Sequence, residues 1–257
     1  MKIVVIKCGG SVLDELSSGF FTSLDELQKQ GYHLVFVHGG GPDINDMLAL
    51  YNVKPEFRNG LRKTGLDTLK VVEMTLSGQT NRKLVSSLED HHFNAIGING
   101  SDGKLLNATF INREELGFVG EITNVKVDLL NILLKENYIP VVTPIGISED
   151  GEKLNINADY AAAAVAKALG AEQCLFVTNV DGVLIEGSLA PCLTENEINT
   201  YIENGEISGG MIPKVQSALA AVEKGVESVM IVSGKNPFYS NQGWYGTSIS
   251  KKEPMIK

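Results

Sequence analysis

Cysteine is scarce: three in 257 residues, and Cys8, Cys174 and Cys192 form no C-x-x-C pair. Each lies in or beside an apolar run, which predicts buried or free thiols in a reducing compartment, not a disulfide framework. No stretch approaches the roughly 20 apolar residues that span a bilayer. The opening run at 3–6 ends at Lys7, too short for a signal-peptide core, so the expectation is a cytoplasmic protein that does not engage a membrane. An excess of positive charge is missing too. The net charge of −9 argues against a broad surface for nucleic acid or anionic lipid, although a few local cations suffice for a small anion. Low-complexity tracts, proline-rich linkers and repeats are absent. With hydrophobic residues at 43%, the chain can build one large α/β domain or two closely joined lobes.

Several familiar chemical signatures are also lacking. There is no G-x-x-x-x-G-K-[ST] loop, and the one G-x-G, at Gly39 and Gly41, meets Ile44 where a dinucleotide fingerprint needs glycine. H-E-x-x-H does not occur, and the adjacent His91 and His92 would diverge on a helix instead of sharing a metal. G-x-S-x-G is missing as well. A bound nucleotide would need a different phosphate cradle.

Short apolar runs at 3–6, 34–37, 95–98, 141–144, 174–178 and 228–232 suit strands buried on both faces of a parallel sheet. Between them, helical patterns occupy about 14–30, 42–51, 66–91, 124–137, 156–169 and 211–225. This alternation predicts an α/β fold, a three-layer αβα sandwich around a mainly parallel open sheet. Residues 103–123 break the rhythm and predict a small hairpin or a lid; 52–64 predicts a second excursion.

Open α/β sheets bind ligands beyond their strand C-termini, and four turns there carry candidate chemistry. Lys7-Cys8-Gly9-Gly10-Ser11 pairs a cation with two glycines whose N–H groups can approach a phosphate; a tight turn with a surface lysine reads equally well. His38-Gly39-Gly40-Gly41-Pro42 places three glycines at a helix start, an anion site in form, with His38 as an orienting residue. In Asn155-Ile156-Asn157-Ala158-Asp159, Asn157 reads as a helix N-cap, which leaves Asn155 and Asp159 unexplained. In Ser208-Gly209-Gly210-Met211-Ile212-Pro213-Lys214, a lysine near a helix start, where cations are unfavourable, suggests a nearby anion.

These turns in this order resemble the amino-acid kinase family from end to end. Asn59-Gly60-Leu61-Arg62 with Thr64, Asn155-Ile156-Asn157-Ala158-Asp159, Thr178-Asn179-Val180-Asp181-Gly182-Val183 and Gly246-Thr247-Ser248-Ile249 resemble the branch that phosphorylates N-acetyl-L-glutamate. Cys8 and Ser248 depart from the family's commoner residues there. The resemblance implies a carbamate-kinase-like fold, with an N-terminal lobe of about 1–170 for substrate and dimerisation and a C-terminal lobe of about 171–257 for ATP. It implies transfer of the γ-phosphoryl of ATP to the side-chain carboxylate of N-acetyl-L-glutamate, in arginine biosynthesis. Lys7 and Lys214 would be catalytic, with Asp159 between them holding both. Gly40, Gly41, Arg62 and Asn155 would hold the acceptor. Gly9, Gly10, Asn179, Asp181, Gly182, Val183, Gly209 and Gly210 would hold ATP. Mg²⁺ would arrive on the phosphates, with no protein metal site.

Sister kinases acting on carbamate, aspartate, glutamate, uridylate or an aminoadipate derivative are the nearest alternatives, the last differing by as little as a methylene. A kinase-like sensor that binds an amino acid without transfer is another; Lys7, Asp159 and Lys214 together argue against it. The family forms homodimers, and the first strand, predicted to begin at residue 3, leaves no N-terminal linking helix. A dimer insensitive to arginine is the expectation.

Overall fold

The computed structural model describes residues 1–251. In the first half of the chain the strands are β1 (Lys2–Cys8), β2 (Tyr32–His38), β3 (Phe57–Arg58), β4 (Leu61–Arg62), β5 (Ala95–Asn99), β6 (Leu106–Phe110) and β7 (Val119–Val125). Then come β8 (Ile139–Thr143), β9 (Ile145–Ile147), β10 (Lys153–Ile156), β11 (Gln173–Thr178), β12 (Leu184–Ile185), β13 (Ser188–Leu189) and β14 (Cys192–Thr194). The last are β15 (Ser228–Ser233), β16 (Tyr239–Ser240), β17 (Gly243–Trp244) and β18 (Thr247–Ser250). The helices are α1 (Ser18–Lys29), α2 (Gly41–Leu50), α3 (Leu66–Glu73), α4 (Asn81–Asp90), α5 (Arg113–Leu116), α6 (Asp128–Lys135), α7 (Ala158–Leu169), α8 (Glu195–Glu203) and α9 (Met211–Glu223).

One eight-stranded sheet runs through the molecule in the order β14-β18-β15-β11-β1-β2-β8-β5. From β15 to β5 all neighbours are parallel; β18 turns antiparallel to β15 and carries β14 beside it. Alternate side chains of β1 and β2 enter two cores. Ile3, Val5, Val35 and Val37 pack with α6, α7, α8 and α9, while Val4, Ile6, Leu34 and Phe36 pack with α1 and α4. Burial on both faces is what made these strands continuous apolar runs. The expected three-layer sandwich is therefore the observed one.

The excursions also take shape. Residues 103–123 hold most of the β6–β7 hairpin, but it does not stand apart as a lid; with β9 and β10 it closes a four-stranded barrel. Residues 52–64 fold into the β3–β4 hairpin. Its tip, Asn59-Gly60, has φ of 48° and 77°, the left-handed pair that a two-residue hairpin turn requires. The stretch expected as one helix over 66–91 is α3, a π-helical turn Met74–Thr80, and α4. The helix expected from 14 begins at Ser18, capped by Ser17, after a 3₁₀ turn Gly10–Glu15. The helix expected over 124–137 is confined to Asp128–Lys135, because β7 claims residues through Val125. Among the described residues no helix is long and apolar enough to cross a membrane.

Candidate active site

The C-terminal ends of the central strands β1, β2 and β11 meet the N-termini of α2, α7 and α9. Lys7, the penultimate residue of β1, lies on the face covered by α7. Its Nζ sits 2.8 Å from Asp159 Oδ1, close to where a Cβ on Gly9 would stand, and 5.4 Å from the Phe176 ring centre. The Lys7–Asp159 contact is an ion pair without the alignment of a hydrogen bond. Asp159 is in the first turn of α7, where an anion is favoured, and Asn157 caps that helix by accepting from the N–H groups of Asp159 and Tyr160.

Lys214 rises from the first turn of α9, and its Nζ donates to Asn179 Oδ1 at 2.8 Å. Burial pushes its pKa below the ordinary lysine value, and the charge of Lys7 adds to the effect. The two lysines therefore share one site. Asp159 does not bridge them as the resemblance implied: it pairs with Lys7, while Asn179 holds Lys214. The Asn179 amide holds Lys214 without cancelling its charge.

Three cavities line up here. The middle one, about 210 Å³, is lined by Lys7, Gly9, Asp159, Asn179 and Lys214, with Ser11 and Ser217 beside them. On the N-terminal side lies a cavity of about 180 Å³ bounded by Gly40, Gly41, Arg62, Leu76, Asn155 and Phe57. Arg62 is 8% exposed; its Nη2 donates to Gly41 O at 3.3 Å, and its Nη1 is buried with no partner. Phe57, paired with Arg62 across the β3–β4 hairpin, stacks its ring 4.7 Å from the guanidinium. Thr64 ties the wall together, donating to Arg62 O at 2.8 Å and accepting from Asn155 Nδ2 at 3.0 Å. Burial lowers the Arg62 pKa, but a guanidinium stays charged in a protein. A buried cation with an unused donor calls for an anion.

On the C-terminal side a cavity of about 450 Å³ is lined by Asn179, Asp181, Gly182, Ser208, Met211 and Lys235. Asp181 is fixed there by Asn236 Nδ2 at 2.7 Å. Neither α2 nor α9 has a side-chain cap, but only α2, after Gly40, presents free N–H groups; at α9 Met211 and Ile212 donate to Ser208 O and Gly209 O, and Pro213 has no N–H. Gly9 faces the middle cavity, but Gly10 does not; a Cβ on it would stand 2.7 Å from Gly40 Cα, so its role is to let two turns touch backbone to backbone. Gly209 adopts φ 55° in the turn before α9. Val183 departs from the expectation. It is fully buried, its N–H is spent on Thr247 Oγ1 at 2.8 Å, and it does not line the cavity; it packs the lobe.

Sequence reasoning passed over Phe57, Leu76, Lys235 and Asn236. The Asn59-Gly60 pair is a hairpin-turn signal that could have found the hairpin bringing Phe57 onto Arg62, although the expectation for 52–64 is only an excursion; the others had no local signal. A larger cavity, about 520 Å³, lies between β7, α7 and α9. It holds none of the expected site residues, and its lysines are engaged: Lys167 donates to Lys224 O, and Lys224 pairs with Glu121 over the Tyr160 ring. Among the described residues no cluster of three or more His, Cys, Asp or Glu is placed to hold a metal ion.

Comparison with known proteins agrees with this geometry. Acetylglutamate kinase of Geobacillus stearothermophilus is 54% identical over 251 residues, which is 98% of this chain and 97% of that protein. Acetylglutamate kinase of Bacillus velezensis is 46% identical over 99% of both. A crystal structure from Streptococcus mutans superposes with a TM-score of 0.83 at 33% identity, covering 97% of this chain and 99% of that one. Carbamate kinase from Giardia lamblia shares the fold, with a TM-score of 0.65 at 16% identity over 98% and 99% of the two chains. The sequence profile of the amino acid kinase family matches residues 2–233, and the chain belongs to that family.

Proposed function

We propose that this enzyme transfers the γ-phosphoryl group of ATP to the side-chain carboxylate of N-acetyl-L-glutamate, giving N-acetyl-L-glutamyl 5-phosphate and ADP, a step of arginine biosynthesis. The observation that carries the reading is the buried Arg62 with its unused Nη1, in a small cavity whose lining residue Ala158 adjoins Asp159 of the cavity that holds the two lysines. A planar guanidinium fork matches an α-carboxylate, and Asn155 beside it offers hydrogen bonds to the amino-acid portion. ATP would lie across Asn179, Asp181, Gly182 and the Gly209-Gly210 turn. In this reading residues up to about 170 form the acceptor lobe and those from about 171 the nucleotide lobe, whose last residues, 252–257, lie outside the described residues.

The acceptor carboxylate is already ionised at neutral pH, so no general base is required. What the protein must supply is alignment, and compensation of charge as two anions approach. Lys7 and Lys214 would flank the transferring group, and the N–H groups of Gly9 and Gly40 would donate to its oxygens. The side chains fit a Mg²⁺ carried by the phosphates of ATP: Asp159 is committed to Lys7, and no other carboxylate lines the middle cavity. Bound there, the ion would neutralise phosphate charge.

The reading includes a cytoplasmic homodimer. Exposed Leu66 and Met74, at the two ends of α3, are apolar side chains that a second copy would cover, and light scattering tests it. Buried Cys8 and Cys174, their thiols pushed up to about 12 by burial, suit a compartment where thiols stay reduced. The test of function is a coupled ADP-release assay with MgATP and N-acetylglutamate, glutamate, aspartate, N-acetyl-aminoadipate, carbamate or UMP, with hydroxylamine trapping any acyl phosphate. Turnover confined to N-acetylglutamate is the expected result. Preference for another acceptor overturns the substrate, and binding without turnover overturns the reaction.

A further inference from the structure

The long helical segment before α4 is not regular. Its π-helical turn, Met74–Thr80, inserts an extra residue and so rotates α4 by roughly 100° about the helix axis. The turn sends Leu76 into the acceptor cavity and buries Thr80 and Asn81 against the glycine loop. A Cβ on Gly40 would stand 2.5 Å from Leu76 Cδ2 and 2.9 Å from Thr80 Oγ1. Thr80 Oγ1 donates to Asp43 Oδ2 at 2.7 Å, fixing the first turn of α2.

Asn81 lies deeper. Its Nδ2 donates to Val141 O at 2.8 Å and faces His38 Nε2 at 3.2 Å, while its Oδ1 faces the Arg82 guanidinium. A carbonyl on one side and a cation on the other fix which end of the amide is which. His38, fully buried, places Nδ1 3.0 Å from Gly39 O, and Thr143 Oγ1 is 3.2 Å from Nε2. A carbonyl oxygen only accepts, so Nδ1 carries the proton and Nε2 is the bare nitrogen that receives Asn81. In a trans peptide the C=O and the next N–H point in opposite directions. Holding Gly39 O against His38 therefore turns the Gly40 N–H away from the ring, on the side where Gly40 lines the acceptor cavity.

We propose that His38 and Asn81 are positioning residues: the π-turn delivers Asn81 to His38 Nε2, and His38 Nδ1–H locks the Gly39–Gly40 peptide so that it offers an N–H, not a carbonyl, to the anion. This rests on the transfer reaction proposed above. Neither residue touches a substrate cavity. The fully buried imidazole is held neutral, its pKa lowered to about 4 by burial against the opposing effects of the Gly39 carbonyl and Asp43, with Arg82 adding to the depression.

Two variants separate the ends of the ring. In His38→Asn the side-chain amide reaches the place of Nδ1 and can still donate to Gly39 O; in His38→Gln the amide reaches the place of Nε2 and cannot. With wild-type turnover of N-acetylglutamate established first, His38→Gln is expected to lose ~10²-fold in kcat, the scale of one lost transition-state donor. Its KM for ATP should stay within about twofold, and His38→Asn should recover most of the lost rate. Equal losses in both variants, or no loss in either, would overturn the proposal. A wild type inactive on the whole acceptor panel would instead refute the reaction and leave the hydrogen-bond assignment to a second readout. That readout is the long-range ¹H–¹⁵N correlation of the imidazoles in the unmodified protein. It should show one neutral ring protonated at Nδ1 from pH 8 to 5.5, absent from the His38→Asn spectrum; an Nε2–H tautomer there would overturn the assignment even if both variants misfold.

Discussion

Lys7 and Lys214 reach the same cavity with different partners, and the difference sets what each substitution should do. Removing Lys7 leaves Asp159 as an uncompensated carboxylate facing the incoming phosphates; removing Lys214 leaves only a neutral amide. Lys7→Ala and Lys214→Ala are each expected to lose ~10²-fold or more in kcat, Lys7→Ala the more, and Asp159→Asn should partly restore the Lys7 variant. Arg62→Ala should act chiefly on KM for the acceptor, because its contact exists before and during transfer. Steady-state kinetics with both substrates varied checks all of these.

His38 gives a separate, thermodynamic expectation. Its pKa is depressed on folding, so the unfolded chain binds a proton near pH 6.5 that the folded protein refuses until about pH 4. Stability from this group is complete above about pH 6.5 and declines as pH falls towards 4, by about 3 kcal/mol in all. Urea midpoints at pH 7.5 and 5 should differ by less in His38→Asn than in the wild type. These single-residue properties were only partly legible in the sequence. The glycines and lysines announced themselves by unfavourable positions; the partners of Lys214 and His38 did not, because Asn179 and Asn81 lie 35 and 43 residues from them and meet only in the fold.

Among the elements, those with a strong local pattern were the ones read correctly. Of the six sheet strands read as apolar runs, β1, β2, β8, β11 and β15 are buried on both faces, while β5, at the sheet edge, leaves Ile96 exposed. The edge strand β14 and its neighbour β18 were missed, being short and carrying Thr and Ser. So was α8, although Thr194 and Glu197 form a capping box that marks its start. The π-turn was not read, because the expectation of one helix over 66–91 ran across the point where the extra residue shifts the apolar face. Where two elements touch through backbone, substitution should be severe. In Gly10→Ala the new methyl would meet Gly40 Cα at 2.7 Å, and no rotamer can relieve a clash between main chains. The variant should fold with its core intact by circular dichroism yet lose at least ~10-fold in kcat/KM for both substrates, as the two turns are forced apart by the ångström-scale shift that alignment does not tolerate.

For the whole molecule, a single sheet carries both lobes, and its central strands, β1 between β2 and β11, supply the turns on either side of the transfer point. That seam has a thermodynamic consequence. A ligand that orders the turn after β1 presses on the turn after β2 through the Gly10–Gly40 contact, so occupancy at one side reduces the ordering left for the other. Nucleotide and acceptor should then bind with positive cooperativity. By reciprocity, a non-hydrolysable ATP analogue must tighten N-acetylglutamate by the same factor by which N-acetylglutamate tightens the analogue. Titration calorimetry in both orders measures the two factors, and in Gly10→Ala both should fall towards one together.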